Sequence, residues 1–146
     1  ETLSNTHLDA IPRRTSNLNR RFGESMRACG LQEVQSLTLS NERDQFENVR
    51  WPQEEGMALI SNPITSEHTV LRQYILPSLL RLLAANRHHE LPQRVYELGT
   101  VVSNNINQNN FAWSCAEVDG GFTAAKGFAQ AILRDLGANF EEIKFL

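Results

Sequence analysis

The chain has 146 residues and a formal net charge of −3, with 40% hydrophobic and 21% charged residues. This composition is typical of one globular domain and excludes disordered, collagen-like and coiled-coil chains. The acidic balance argues against a domain that holds nucleic acid by bulk positive charge. No apolar run reaches the roughly 18 residues that a membrane-spanning helix needs, so no membrane partner is expected.

The start of the chain is polar, and residues 1–14 are interpreted as a linker from a preceding domain. Residues 15–146 are predicted to form one module that is incomplete at its C-terminus. The chain opens on Glu1 without an initiator methionine or an apolar signal segment, which is typical of a piece of a longer polypeptide.

The first predicted helix covers residues 16–29. Ser16 is a suitable N-cap, because a serine hydroxyl can accept a hydrogen bond from a free backbone N–H of the first turn. Leu18, Phe22 and Met26 follow at a helical spacing that places them on one face. Gly30 stands where a glycine in the left-handed conformation ends a helix.

Short elements are predicted before a second helix. Residues 34–39 alternate as a half-buried strand does, residues 40–49 suggest a short polar helix, and residues 57–60 a short strand. Pro77 suits the first turn of a helix over 77–88, because its ring fixes φ and no N–H is needed there.

The last third of the chain is predicted to hold two strands and a helix. A strand over 94–98 is expected to stop at Gly99 and resume at 101–102, and the asparagine-rich residues 104–110 are expected to form a loop. The remaining predicted elements are a strand over 111–118, a helix over 123–136 and the start of a strand at 141–146.

This order of elements predicts an α+β fold, in which a mainly antiparallel sheet carries flanking helices on one side. The side chains expected to be largely buried are Leu18, Phe22, Met26, Leu79, Leu83, Phe128 and Ile132.

Most motifs that carry chemistry are missing from the sequence. His88 and His89 are neighbours, and no histidine pair has the spacing of a zinc site, so no metal ligand is assigned. No nucleophile elbow or phosphate-binding loop occurs, and Gly120-Gly121 is interpreted as a tight turn. Cys29 and Cys115 are predicted to be ordinary thiols of a reducing cytoplasm.

One long run of residues is unusual as a whole. Its ordered pieces are Asn62-Pro63, Leu71-Arg72, Leu76-Pro77-Ser78-Leu79-Leu80, Asn86-Arg87 and Leu91-Pro92-Gln93-Arg94-Val95-Tyr96-Glu97-Leu98-Gly99. Together with Gly30-Leu31-Gln32-Glu33-Val34 and with Phe122-Thr123 and Lys126-Gly127, these pieces resemble the β subunit of archaeal- and eukaryote-type phenylalanyl-tRNA synthetase. The resemblance extends over about residues 11–137.

The resemblance implies a degenerate class II aminoacyl-tRNA synthetase fold. In that family the α subunit holds the active site for ATP, Mg²⁺ and phenylalanine, so no cofactor is expected on this chain. The β subunit joins α in a cytoplasmic (αβ)2 heterotetramer, which contains a second αβ unit and charges tRNA(Phe) as a whole complex. The chain is therefore interpreted as a non-catalytic structural and assembly module of this ligase.

Class II enzymes place one ATP-binding arginine in a Phe-Arg-x-Glu strand and another after a glycine-rich turn. Arg94 and Glu97, in Arg-Val-Tyr-Glu, are candidates for a vestige of the first motif, and nothing matches the second. Arg72 is either a relic ligand or part of a buried ion pair, and the apolar residues before it favour the ion pair. The alternative function is an autonomous adenylating domain that binds ATP itself.

The leucine-rich helix over 77–88 suggests a partner surface. Its apolar residues cover a wider sector than one sheet-facing stripe requires. We therefore expect a partner-facing flank around Leu82, rimmed by Arg81, with Leu79 as a further interface candidate.

Overall fold

The computed structural model describes residues 14–138. Three long helices are present: α1 at Arg14–Ala28, α2 at Leu76–Ala85 and α3 at Phe122–Asp135. Each agrees with a predicted helix to within three residues at either end. Residues 1–13 of the predicted linker and the predicted strand at 141–146 lie outside the described residues.

The strands form two small sheets. They are β1 at Gln32–Glu33, β2 at Leu39–Ser40, β3 at Val70–Leu71, β4 at Gln93–Ser103 and β5 at Ile106–Ala116. The larger sheet has the order β1-β4-β5, with β1 parallel to β4 and β4 antiparallel to β5; β2 and β3 form an antiparallel pair. The predicted α+β class with a mainly antiparallel sheet is confirmed.

The β4–β5 hairpin corrects two predictions. β4 continues through Gly99 without a break, and the asparagines after position 105 lie in β5, where Asn110 is opposite Gly99. The turn consists of Asn104 and Asn105 alone, and both have positive φ, which asparagine tolerates better than most residues. Pairing with β4 over the whole hairpin therefore outweighs the local turn preference of asparagine.

The elements between α1 and α2 are shorter than predicted. The predicted strand over 34–39 is wrong except at its last residue, Leu39, where β2 begins. Strand β1 ends at Glu33, before the predicted strand starts. The predicted strand over 57–60 is reduced to one bridge between Leu59 and Val70, and the predicted helix over 40–49 is a π-helical turn at Arg43–Glu47.

Helices cover both faces of the larger sheet, which corrects the prediction that they lie on one side. Successive β4 side chains point to opposite faces. Tyr96 packs with α1 and α3, and Val95 packs with α2. Because β4 is apolar on both faces, each face needs a helix to exclude water.

The predicted core is confirmed in part. Four residues are buried: Phe22, Met26, Leu79 and Ile132. Leu83 and Phe128 pack against the core but are only partly buried. Leu18 is 49% exposed, so the buried side of α1 begins at Phe22.

Candidate functional site

The two motif candidates, Arg94 and Glu97, lie on opposite faces of β4. A separation of three residues along a strand reverses the side-chain direction. Arg94 points toward α3, where its guanidinium carbon is 5.8 Å from the ring centre of Phe128. Glu97 points to the other face, where it meets Arg72. The two side chains therefore cannot act on one bound nucleotide.

Arg94 is held by Glu117, which follows β5. Arg94 Nε lies 2.6 Å from Glu117 Oε1, and Nη2 lies 3.2 Å from Oε2, so the contact has two parallel hydrogen bonds. This pairing raises the pKa of the Arg94 guanidinium and lowers the pKa of the Glu117 carboxyl. Two of the three guanidinium nitrogens, Nε and Nη2, are thus bonded to a carboxylate rather than available to a phosphate.

Glu97 belongs to a buried network with Arg72 and Ser36. Arg72 Nη1 lies 2.7 Å from Glu97 Oε1, and the two side chains are 2% and 1% exposed. Ser36 Oγ donates to Glu97 Oε2 at 2.5 Å and accepts from Arg72 Nη1 at 2.7 Å. The interpretation of Arg72 as one half of a buried structural ion pair is confirmed.

The backbone around Arg72 completes this network. Arg72 Nε donates to the carbonyl of Thr100 at 2.9 Å. The Arg72 N–H donates to the Thr38 carbonyl, and the Arg72 carbonyl accepts from the Val102 N–H. Gly99 lies directly beside the guanidinium, where a Cβ would overlap Nη2 of Arg72. The network ties the end of β3 to the middle of β4, and both charged side chains in it are almost fully buried.

Arg94 and Glu97 together do not fit an ATP and Mg²⁺ site. Arg94 and Glu97 are on different faces, and each is neutralised by an internal partner. Within residues 14–138, no three His, Cys, Asp or Glu side chains come together closely enough to hold a metal ion. No helix in this part of the chain has the length and apolar character to cross a membrane.

The interface candidates on α2 fall into two groups. Leu79 is completely buried, so it offers no surface to a partner, and its place among the interface candidates is corrected. Arg81 is exposed. Its Nη1 lies 2.7 Å from Asp44 Oδ2, and its Nη2 lies 3.2 Å from Glu67 Oε2. Leu82 is half-buried and contacts the core cluster of Val95.

Leu82 forms a wall shared by two grooves. One groove, of about 350 Å³, lies between α2 and β2 and is lined by Leu37, Leu39 and Arg81. The other, of about 630 Å³, lies between α2 and β1 and is lined by residues that include Val34 and Pro92. Leu37 is 64% exposed and Leu39 39% exposed, so the Leu82 flank, defined as Arg81, Leu82 and these two leucines, has accessible apolar surface.

Sequence reasoning did not identify the partners of the two motif candidates. No local sequence pattern marks Ser36 or Glu117 as a partner. Their contacts with Glu97 and Arg94 join residues far apart in the chain and depend on how the strands pair. Arg72 gave a signal, since it is an arginine placed after apolar residues in a recognisable motif, and the structure supplies its partner.

The family model described as "Phenylalanyl tRNA synthetase beta chain CLM domain" matches residues 1–145. Curated relatives include the phenylalanine–tRNA ligase beta subunit of Archaeoglobus fulgidus, 38% identical over 120 residues, which are 81% of this chain and 22% of that protein. The same subunit of Pyrococcus horikoshii is 36% identical over 119 residues, or 77% of this chain and 21% of that protein. The chain thus spans about a fifth of the length of these relatives.

Solved structures with the same fold are class II aminoacyl-tRNA synthetases and a related protein. The pyrrolysyl-tRNA synthetase PylSc of Desulfitobacterium hafniense has a TM-score of 0.71 at 14% identity, over 86% of this chain and 46% of that one. An ATP phosphoribosyltransferase regulatory subunit/histidyl-tRNA synthetase from Bacillus halodurans C has a TM-score of 0.67 at 16% identity, over 94% and 40%. These similarities show a class II synthetase-like fold.

Proposed function

The chain belongs to the phenylalanyl-tRNA synthetase β-chain family as its CLM domain, and from this membership we propose that it is a non-catalytic structural and assembly module of a phenylalanine–tRNA ligase. The observation that carries the proposal is the placement of Arg94 and Glu97. A nucleotide site needs fixed cations and a metal-binding carboxylate that converge on the phosphates. Here the two candidates diverge, and each is engaged by a residue of the same chain.

The proposed partner is the α subunit of the same ligase, which supplies the site for ATP, Mg²⁺ and phenylalanine. Two such αβ units would form an (αβ)2 heterotetramer in the cytoplasm, and tRNA(Phe) would bind to the whole assembly. The Leu82 flank is the proposed contact surface for α, because it combines accessible leucines with grooves on both sides of Leu82. An apolar centre with a charged rim such as Arg81 is typical of a protein interface.

The association test uses this chain and the cognate α subunit in size-exclusion co-elution. We expect the two to co-elute, and we expect Leu82→Glu to weaken association at least tenfold, because it places a charge in an apolar contact. Leu80→Glu is the matched control, since Leu80 is 40% exposed on the same helix but lines neither groove. Equal effects of the two variants, or a Leu82→Glu variant that does not fold, would contradict the assignment of this flank.

The catalytic test is phenylalanine-dependent exchange between ATP and pyrophosphate. The isolated chain is expected to show none, and the mixture with α is expected to show exchange that Arg94→Ala in this chain leaves unchanged. Exchange by the isolated chain that Arg94→Ala abolishes would instead establish an autonomous adenylating domain and overturn the proposal.

A further inference from the structure

A short linking segment, residues 35–37, carries the chain from the larger sheet to the smaller one. Before it, the Val34 N–H donates to the Tyr96 carbonyl of β4 at 2.9 Å. After it, the Thr38 carbonyl accepts from the Arg72 N–H at 2.9 Å, just beyond β3. Within the described part of the chain, no backbone hydrogen bond reaches the linking segment itself. Its side-chain contacts therefore matter for its course.

Burial alternates along the linking segment and its neighbours. Residues 34, 36 and 38 are partly buried, and residues 35, 37 and 39 are exposed. Such alternation is typical of extended backbone, in which successive side chains point to opposite sides. Ser36 thus points to the interior, and Leu37, the next residue, points to the surface.

The Ser36 hydroxyl attaches the linking segment to the buried ion pair. Its Oγ donates to Glu97 Oε2 at 2.5 Å and accepts from Arg72 Nη1 at 2.7 Å. Arg72 and Glu97 are almost fully buried and are bonded to each other, so they form a fixed point of the interior. Hydrogen bonds to charged groups are short and comparatively strong. The hydroxyl therefore restricts how far the linking segment can move.

Leu37 belongs to the Leu82 flank. Its side chain is 64% exposed and lines the groove of about 350 Å³ between α2 and β2. Ser36 lines the same groove, so one residue joins the accessible leucine to the ion pair. A leucine on a loosely held segment loses conformational freedom when a partner binds it, and earlier ordering of the segment reduces this cost.

We propose that Ser36 is a positioning residue for the Leu82 flank. Its hydroxyl, held by the buried ion pair, fixes Leu37 in the orientation that a partner contacts. This inference rests on the proposed function, because the partner is the α subunit assigned to that flank. Ser36 acts through Leu37 and needs no contact of its own with α.

Ser25 provides a matched control for the loss of a hydroxyl. Its Oγ donates to Asp135 Oδ2 at 2.7 Å, and the residue is 5% exposed. This bond joins α1 to α3, which cover the opposite face of the larger sheet from α2. Ser25→Ala and Ser36→Ala thus each remove a hydroxyl that is bonded to a carboxylate, but only the second variant alters the linking segment.

The test measures the affinity of this chain for the cognate α subunit by titration calorimetry, together with the thermal unfolding of each variant. We expect Ser36→Ala to stay folded and to bind α about fivefold or more weakly. Ser36→Thr keeps the hydroxyl, so its affinity should remain within about twofold of the wild type. Ser25→Ala should unfold at a lower temperature than the wild type and bind α with unchanged affinity.

A double-mutant cycle tests whether Ser36 acts through Leu37. Leu37→Ala removes the side chain that is to be positioned, so Ser36→Ala added to it should weaken binding by less than about twofold. A general structural role would give the same loss in both backgrounds. Methyl order parameters from NMR provide a readout without α. That of Leu37 should fall in Ser36→Ala, while that of the buried Leu79 should stay high.

Four results would overturn this inference: wild-type affinity in Ser36→Ala, equal losses in the two backgrounds, an unchanged Leu37 order parameter, or a Ser36→Ala variant that does not fold. A Ser36→Thr variant that binds as weakly as Ser36→Ala would contradict it as well. If Leu82→Glu weakens association and Ser36→Ala does not, this inference alone fails and the proposed function stands. If neither variant weakens association, the flank is not the contact surface and both fail.

Discussion

Arg72 and Glu97 are in contact at 2.7 Å in the interior, where their side chains are 2% and 1% exposed. They join the end of β3 to the centre of β4, which are distant in sequence. Desolvation of two charges offsets much of their attraction, so such a pair adds less net stability than its contact distance suggests. Removing only one of the two side chains is costly, because the charge that remains is then buried without a partner.

The first prediction follows from this asymmetry. Arg72→Met should lower the free energy of unfolding by about 3–5 kcal/mol, and Arg72→Met combined with Glu97→Met should cost less than the single variant. Urea unfolding measures both. Arg81→Met is the control, because its ion pairs are exposed and should contribute about 0–1 kcal/mol. A loss in Arg72→Met no larger than that in Arg81→Met would contradict the prediction.

The second prediction concerns Gly99. A Cβ at this position would overlap the Arg72 guanidinium and also lie 3.1 Å from Glu97 Oε1, so Gly99→Ala should destabilise the fold by about 1–3 kcal/mol. Gly127→Ala is the matched control, since nothing lies within 4 Å of a Cβ there and the residue is inside α3. It should stabilise by about 0.5–1 kcal/mol. Thermal unfolding of the two variants should therefore shift in opposite directions.

The third prediction concerns acid. Arg94 lowers the pKa of Glu117 in the folded chain, while an unfolded glutamate has a pKa of about 4.3. The stabilisation is therefore fully present above about pH 4.3 and is lost as the pH falls through the lower folded value. Glu117→Gln should flatten the dependence of unfolding on pH in this acidic range, and Arg94→Gln should flatten it in the same way. If the free energy of unfolding of either variant depends on acidic pH as steeply as that of the wild type, the Arg94–Glu117 pair is not the source of this dependence.

The fourth prediction concerns Tyr74. Its hydroxyl donates to Glu54 at 2.6 Å, and this bond, together with burial and the charge of Glu54, raises the pKa of Tyr74 to about 12. In a Tyr96→Phe background Tyr74 is the remaining tyrosine of the chain, so ultraviolet absorbance follows its ionisation directly. Glu54→Gln should bring the titration down toward about 10. The stabilisation from this bond is present below about pH 10 and is lost as the pH rises toward the folded value. If Tyr74 titrates at the same pH in Glu54→Gln as in the parent, a group other than Glu54 raises the pKa of Tyr74.

The helices could be predicted from the sequence because their signals are local. Phe22 and Met26 share a face at helical spacing, Pro77 marks a first turn, and Gly30 and Gly137 both have positive φ just beyond helices. The middle strands could not be predicted in the same way. Residues 34–39 alternate like a strand, yet a strand exists only where a neighbour is available, and β1 and β2 take their partners from β4 and β3.

The sequence by itself determined the three helices, the antiparallel character of the sheet and membership of a synthetase β-chain family, because periodicity and motif order lie along the chain. Only the tertiary structure decided that Arg94 meets Glu117, that Arg72 meets Glu97 and that Leu79 is core. These facts depend on strand register and on which side of the sheet each helix covers. Such contacts join residues far apart in sequence, and folding alone brings them to within a few ångströms.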